Sequence, residues 1–101
     1  MSVYAVALIM IHDRTAYTQY EAGFAEIFKR HKGELLSVEE SPRVIEGEWP
    51  FTRTVLLRFP SDADFRAWYD SPAYQSLALH RLRGSSAQLV LISGRDSQPP
   101  R

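Results

Sequence analysis

The chain has 101 residues, the length of one domain, and its 45% hydrophobic and 24% charged residues describe a packed globular protein rather than a disordered one. Twelve basic and twelve acidic residues cancel, so there is no basic footprint for nucleic acid, although a local arginine cluster can still bind a small anion. Cysteine is absent, which excludes disulfides, thiol nucleophiles and thiolate metal sites and is compatible with a cytoplasmic location.

The opening run VYAVALIMIH, residues 3–12, is rich in β-branched and apolar residues and reads as a strand. It is too short to cross a bilayer and lacks the basic start of a signal peptide. Asp13 then caps a helix. Ala16, Tyr17, Tyr20, Phe24, Ile27 and Phe28 recur at steps of three and four and form its apolar face. Lys29, Arg30, His31 and Lys32 stand at its end, where cations suit the helix dipole, and Gly33 is expected as the left-handed terminating residue. GELLSVEE supplies a second strand over residues 34–40, and Val44 to Glu46 a short extension after a bend. Ser41-Pro42 and the stretch from Gly47 to Pro50 are turn signals. A third strand, TRTVLLRF, covers residues 52–59 and stops at Pro60. Ser61 caps the next helix, with Asp62 and Asp64 in its first turn. Ser71-Pro72 restarts it, cap followed by proline at the first helical position, so WYDSPAYQ joins two helical pieces at a bend. AQLVLIS, residues 87–93, is the last strand, and SQPPR from residue 97 reads as a frayed tail outside a single domain over residues 1–96.

The order β-α-β-β-α-β is the ferredoxin-like pattern, an α+β fold. Right-handed crossovers put both helices on one face of a four-stranded antiparallel sheet. A sheet covered on one face should alternate apolar and polar residues, and this one does not. Val3, Ala5, Ala7, Ile9 and Ile11 share one face of the first strand, while Tyr4, Val6, Leu8 and Met10 share the other. Leu89 and Leu91 oppose Val90 and Ile92 in the last. The second apolar face needs a cover, and a second copy of the chain, giving a dimeric α/β barrel, is the simplest one.

The helix bearing Tyr17 and Tyr20, Gly33, EGEWP at 46–50, FPS at 59–61 and AWYDSPAYQ at 67–75 together resemble the domain-of-unknown-function family 1330 of the dimeric α/β-barrel superfamily. The likeness extends from about Tyr4 to Ser93. It implies a ferredoxin-like homodimer and no settled reaction. Relatives in the superfamily include cofactor-independent monooxygenases, lactone isomerases and haem-degrading enzymes, and a reaction taken from them is analogy of fold.

Candidate chemistry is sparse. His12, His31 and His80 are far apart and show no metal-binding spacing, so no metal site is expected. His12-Asp13 is the one adjacent histidine–carboxylate pair, at a strand end, either a turn and cap or a proton-transfer group. His12 is also the least poor axial ligand for a haem. Ser71 is a cap, not a nucleophile, because the Gly-x-Ser-x-Gly elbow is missing. No glycine-rich phosphate loop exists, and no cofactor is expected. Tyr17 and Tyr20 on the first helix and Trp68, Tyr69 and Tyr74 on the second helical region share one sheet face. They are either core, each polar tip finding a partner, or the lining of an apolar pocket. EGEWP offers Glu46 as a general base in a dry site and Trp49 as a rim, or else a loop covering an edge. Arg53 and Arg58 have opposite parity, so one of them faces the covered side, where an arginine pairs with a carboxylate or binds an anion. Arg81, Arg83, His31 and His80 read as solvated.

Two functions from different classes follow. One is a small enzyme, an isomerase or cofactor-independent oxygenase acting on a flat apolar metabolite with an acidic group, in which Glu46 or His12 moves a proton. The other is a non-catalytic dimer, structural or ligand-binding.

Overall fold

The computed structural model describes residues 2–97. Its elements are β1 (Val3–Ile11), α1 (Arg14–Phe28), β2 (Glu34–Glu39), β3 (Arg53–Phe59), α2 (Asp62–Tyr69), α3 (Pro72–Gly84) and β4 (Ser85–Ser93), then a 3-10 turn, Arg95–Ser97. The sheet order is β2-β3-β1-β4, and every pairing is antiparallel. This is the expected α+β, ferredoxin-like arrangement, with the second helical region divided as Ser71-Pro72 implied. The Ser71 hydroxyl accepts from Tyr74 N–H at 3.2 Å and donates to the Trp68 carbonyl at 2.8 Å. One side chain thus ends α2 and starts α3. Asp13 and Ser61 cap α1 and α2 through Ala16 and Asp64 N–H.

Some local expectations do not hold. Gly33 is not left-handed, for among the described residues Gly47 alone has positive φ, at 84°. Gly33 is glycine because a Cβ there would run into the rings of Phe28 and Phe59. α1 ends at Phe28, so the four cationic and histidine residues follow its last turn rather than occupy it. Residues 44–46 form no strand; they lead into the turn at Gly47. β4 begins two residues earlier than expected, at Ser85 directly after α3. The tail expected to fray, residues 97–101, lies outside the described residues apart from Ser97, which closes the 3-10 turn.

The helix-facing side of the sheet carries Val3, Ala5, Ala7 and Ile9 of β1 opposite Phe59, Leu57, Val55 and Arg53 of β3. Leu91, Leu89 and Ala87 of β4 complete it. A register shift between Leu35 and Ser37 resets the parity of β2, so that Leu35 and Val38, three apart, both pair with helix-facing positions of β3. The core of Ile9, Leu57, Phe59, Phe65, Trp68, Tyr17, Tyr20 and Tyr74 lies between this face and the helices. The opposite face, Tyr4, Val6, Leu8, Met10, Leu56, Val90 and Ile92, carries no helix or strand among the described residues. Met10, Val90 and Ile92 are 43%, 53% and 50% exposed, far more apolar surface than a single-sided sheet presents.

α1 packs chiefly on α3. Glycines make that crossing close: a Cβ on Gly84 would lie 2.8 Å from Asp13 O and 2.9 Å from Tyr17 N. The Gly84 carbonyl also accepts from both His12 and Asp13 N–H, at 3.0 and 3.1 Å. Gly84→Ala therefore pushes backbone against backbone. It is expected to destabilise the protein by about 1–3 kcal/mol, the usual cost of overpacking, read from urea unfolding; unchanged stability would show that the crossing has slack.

Candidate functional site

The helix-facing side of the sheet is not filled completely. A cavity of about 100 Å³ remains between α1, α3 and the strands. Its floor is Ala7 and Ile9 of β1, Val55 and Leu57 of β3, and Leu35 and Val38 of β2. Two physical features keep it open. Alanine at positions 7 and 87 leaves space where the larger apolar residues of the sheet would fill it. The glycine-mediated contact draws α1 towards α3, so Leu35 and Val38 at the β2 edge stay 49% and 41% exposed.

The walls come from helical spacing. α1 presents Tyr17, Tyr20, Glu21 and Phe24, and α3 presents Tyr74 and Arg81, seven residues apart and so on one face. Trp68 reaches in from α2. Tyr20 and Tyr74 share a buried hydroxyl–hydroxyl hydrogen bond of 2.8 Å. The Trp68 and Tyr74 ring centroids are 4.2 Å apart, and Trp68 also contacts Phe24, Phe28, Phe59 and Phe65. The indole is thereby held rigidly while its polar edge is left over. Trp68 Nε1 is buried without a hydrogen-bond partner, and so is Arg53 Nε. A buried unmatched donor costs about 1–3 kcal/mol.

The charged residues divide into two groups. Arg53 pairs with Glu21 at 3.2 Å and Glu40 at 2.9 Å, and its guanidinium lies 5.4 Å from the Tyr17 ring centroid. Arg14 joins Glu40 at 3.2 Å. Hydrogen bonds from Arg53 and Arg14 hold the Glu40 carboxyl below the ordinary carboxylate range. Arg81 has no such carboxylate. It is 9% exposed, its guanidinium lies 5.8 Å from the Tyr20 ring centroid, and no carboxylate pairs with it among the described residues.

Of the residues singled out in the sequence, Tyr17, Tyr20, Arg53, Trp68 and Tyr74 converge on this cavity. Tyr69 stands behind it, stacked on Phe65 with centroids 5.5 Å apart. Trp49 packs on Phe51 and donates to Thr54 Oγ1 at 3.3 Å, outside the lining. Glu46 and His12 are exposed and do not line it. Arg81 corrects the solvated reading: it is buried against tyrosines because it follows Tyr74 by seven and Leu77 by four on the inward helix face. That spacing was present in the sequence and is the signal that identifies it. Glu21 was also missed, and its place four residues after Tyr17 and three before Phe24, on the same helix face, identifies it in the same way. No cluster of histidine and carboxylate residues fit to hold a metal exists among the described residues.

Burial raises the pKa of Tyr17, and raises that of Tyr20 well above the ordinary value, Tyr74 adding to the effect on Tyr20. Between the unfolded value of about 10 and the raised folded values, the folded chain keeps protons that the unfolded chain has released. Stability is therefore full below pH 10 and falls as pH rises through this window. Alkaline titration of tyrosinate absorbance, followed together with circular dichroism, is expected to show Tyr17 and Tyr20 ionising only as structure is lost, with the assignment made by Tyr17→Phe and Tyr20→Phe. Complete ionisation near pH 10 with the fold intact would refute it.

No curated protein matches the chain in sequence. Among solved structures, a protein of unknown function from Rhodopseudomonas palustris is similar with a TM-score of 0.75 at 16% identity, over 90% of this chain and 80% of that one. SnoaB, a cofactor-independent oxygenase from Streptomyces nogalater, is similar with a TM-score of 0.69 at 15% identity, over 98% of both chains. A dimeric ferredoxin-like protein of unknown function from Jannaschia sp. CCS1 is similar with a TM-score of 0.69 at 12% identity, over 93% of this chain and 100% of that one. At these identities the likeness is one of fold. In sequence, residues 2–95 match the model of the domain of unknown function DUF1330, and the chain belongs to that family.

Proposed function

We propose that the protein is a homodimer that binds a small, largely apolar, aromatic metabolite in the cavity between α1, α3 and the sheet. The observation that carries this reading is the pair of buried, unmatched donors, Trp68 Nε1 and Arg53 Nε, belonging to residues that line an otherwise apolar cavity. A solid core satisfies or excludes such groups, whereas ligand sites combine apolar walls with a few placed polar atoms. Tyr17, Tyr20, Trp68 and Tyr74 are the flat contact surface, and Arg53 and Glu21 lie at one side. The dimer is supported by the uncovered apolar sheet face and by similar folds described as dimeric. No helix among the described residues is long and apolar enough to cross a membrane, and a cysteine-free chain fits the cytoplasm.

Catalysis is the second reading, favoured by the likeness in fold to a cofactor-independent oxygenase. Glu46 and His12 lie away from the lining, so proton transfer inside it falls to Glu21, the one carboxylate there. Glu21 is tied to Arg53 at 3.2 Å, which suits a positioning role better than a base and weights the proposal towards binding.

Native mass spectrometry of the purified protein, with nothing added, reads subunit number and retained small molecules together. A dimer carrying extra mass is expected. Ala7→Leu, which fills the cavity floor, should lose that mass and stay dimeric. Val90→Lys on the outer face should give monomers, because burying an unpaired cation at an apolar interface costs several kcal/mol. A wild-type monomer would overturn the dimer, and retention of the mass by Ala7→Leu would overturn the cavity.

A further inference from the structure

Three charged side chains line the cavity: Arg53, Glu21 and Arg81. Arg53 and Glu21 neutralise one another at 3.2 Å. Arg81 is left over, nine-tenths buried and without a carboxylate among the described residues. Buried charges are normally paired, because taking an ion out of water without a counterion is costly. Tyrosines do part of that work here. The Tyr20 ring lies beside the guanidinium. Burial opposes the Arg81 charge, and the neighbouring Tyr74 and Tyr20 oxygens more than offset it, so the residue stays a cation. A cation–π contact and neutral hydroxyls soften an unpaired charge without cancelling it.

Resting on the reading of the cavity as a ligand site, we infer that its ligand is a monoanion, an arylcarboxylate, whose charge pairs with Arg81 and whose ring stacks among Tyr20, Trp68 and Tyr74. One uncompensated positive charge calls for one negative charge. The rest of the lining is too apolar to solvate a phosphate dianion, and the fork of guanidinium N–H donors matches a carboxylate in a bidentate fashion. Tyr74 connects the stacking rings with Arg81. Its ring is 4.2 Å from Trp68, and its hydroxyl is bonded to Tyr20, the residue whose ring lies at the Arg81 guanidinium. Arg81 is also fixed from behind, since its own carbonyl accepts from the Ser85 hydroxyl at 2.7 Å at the junction of α3 and β4.

The test compares charged and neutral probes of one shape. Benzoate and phenylacetate are titrated against benzamide and phenylacetamide, with binding read by saturation-transfer NMR and by Trp68 fluorescence in a Trp49→Phe background. The acids are expected to bind more tightly than their amides by on the order of tenfold or more. Arg81→Gln should remove that preference by weakening the acids alone, and Arg81→Lys, which keeps the charge and loses the fork, should retain part of it. Equal or tighter binding of the amides to the wild-type protein would overturn the charge assignment and leave the cavity standing as a ligand site. Failure of all four probes to bind would count against the cavity itself, and against this inference with it. The wild-type comparison stands without the variants, so misfolding of Arg81→Gln does not rescue the idea.

Discussion

The close crossing of α1 and α3 is the constraint on which the rest of this structure depends. Gly84 brings the backbone of α3 against Asp13 and Tyr17, and Gly23 meets Leu77 further along the same contact. Helices joined this closely bury little of their own volume between them. Their long aromatic side chains, Tyr17, Tyr20, Phe24 and Tyr74, are turned down onto the sheet instead. The inner face of β2 is left partly bare, with Leu35 and Val38 exposed. The cavity lies between the helices and the strands, with Ala7 and Ala87 in the sheet that lines it.

The ring cluster around Trp68 serves both stability and the site. Burying large rings supplies much of the hydrophobic stabilisation available to a domain of this size. The same rings immobilise Trp68 and Tyr74 at the cavity wall, so their polar atoms are positioned before any ligand arrives. A preorganised wall of this kind costs a ligand little in lost side-chain freedom. The two faces of the sheet thereby divide their work. The inner face makes the core and the cavity. The outer face, apolar and bare in the single chain, is the surface that the proposed dimer covers.

Much of the fold was legible in the sequence because it is written in local, repeating signals. Alternation and β-branching mark the strands, steps of three and four mark α1, and Asp13, Ser61 and Ser71-Pro72 mark the helix starts through hydrogen bonds made within a few residues. The failures were non-local. Gly33 looked like a helix terminator, yet its reason for being glycine is the approach of Phe59 from another element. The bulge at Leu35 and Ser37 has no sequence mark, yet it sets which residues of β2 reach the cavity. Val44 and Ile45 have strand-forming side chains, yet residues 44–46 join no strand.

For the site, the sequence alone determined the chemical inventory: no thiols, no metal spacing, no phosphate loop, and a set of tyrosines and one tryptophan on one face of two helical regions. It also brought Tyr17, Tyr20, Arg53, Trp68 and Tyr74 under suspicion, since residue type and parity are local properties. Only the tertiary structure decided which arginine is paired and which is not. Arg53 meets Glu21 from α1 and Glu40 from just after β2, whereas Arg81 meets rings and hydroxyls. Helical spacing can mark Arg81 as inward-facing, but the sign of the charge beside each arginine arises from distant segments that only folding brings together.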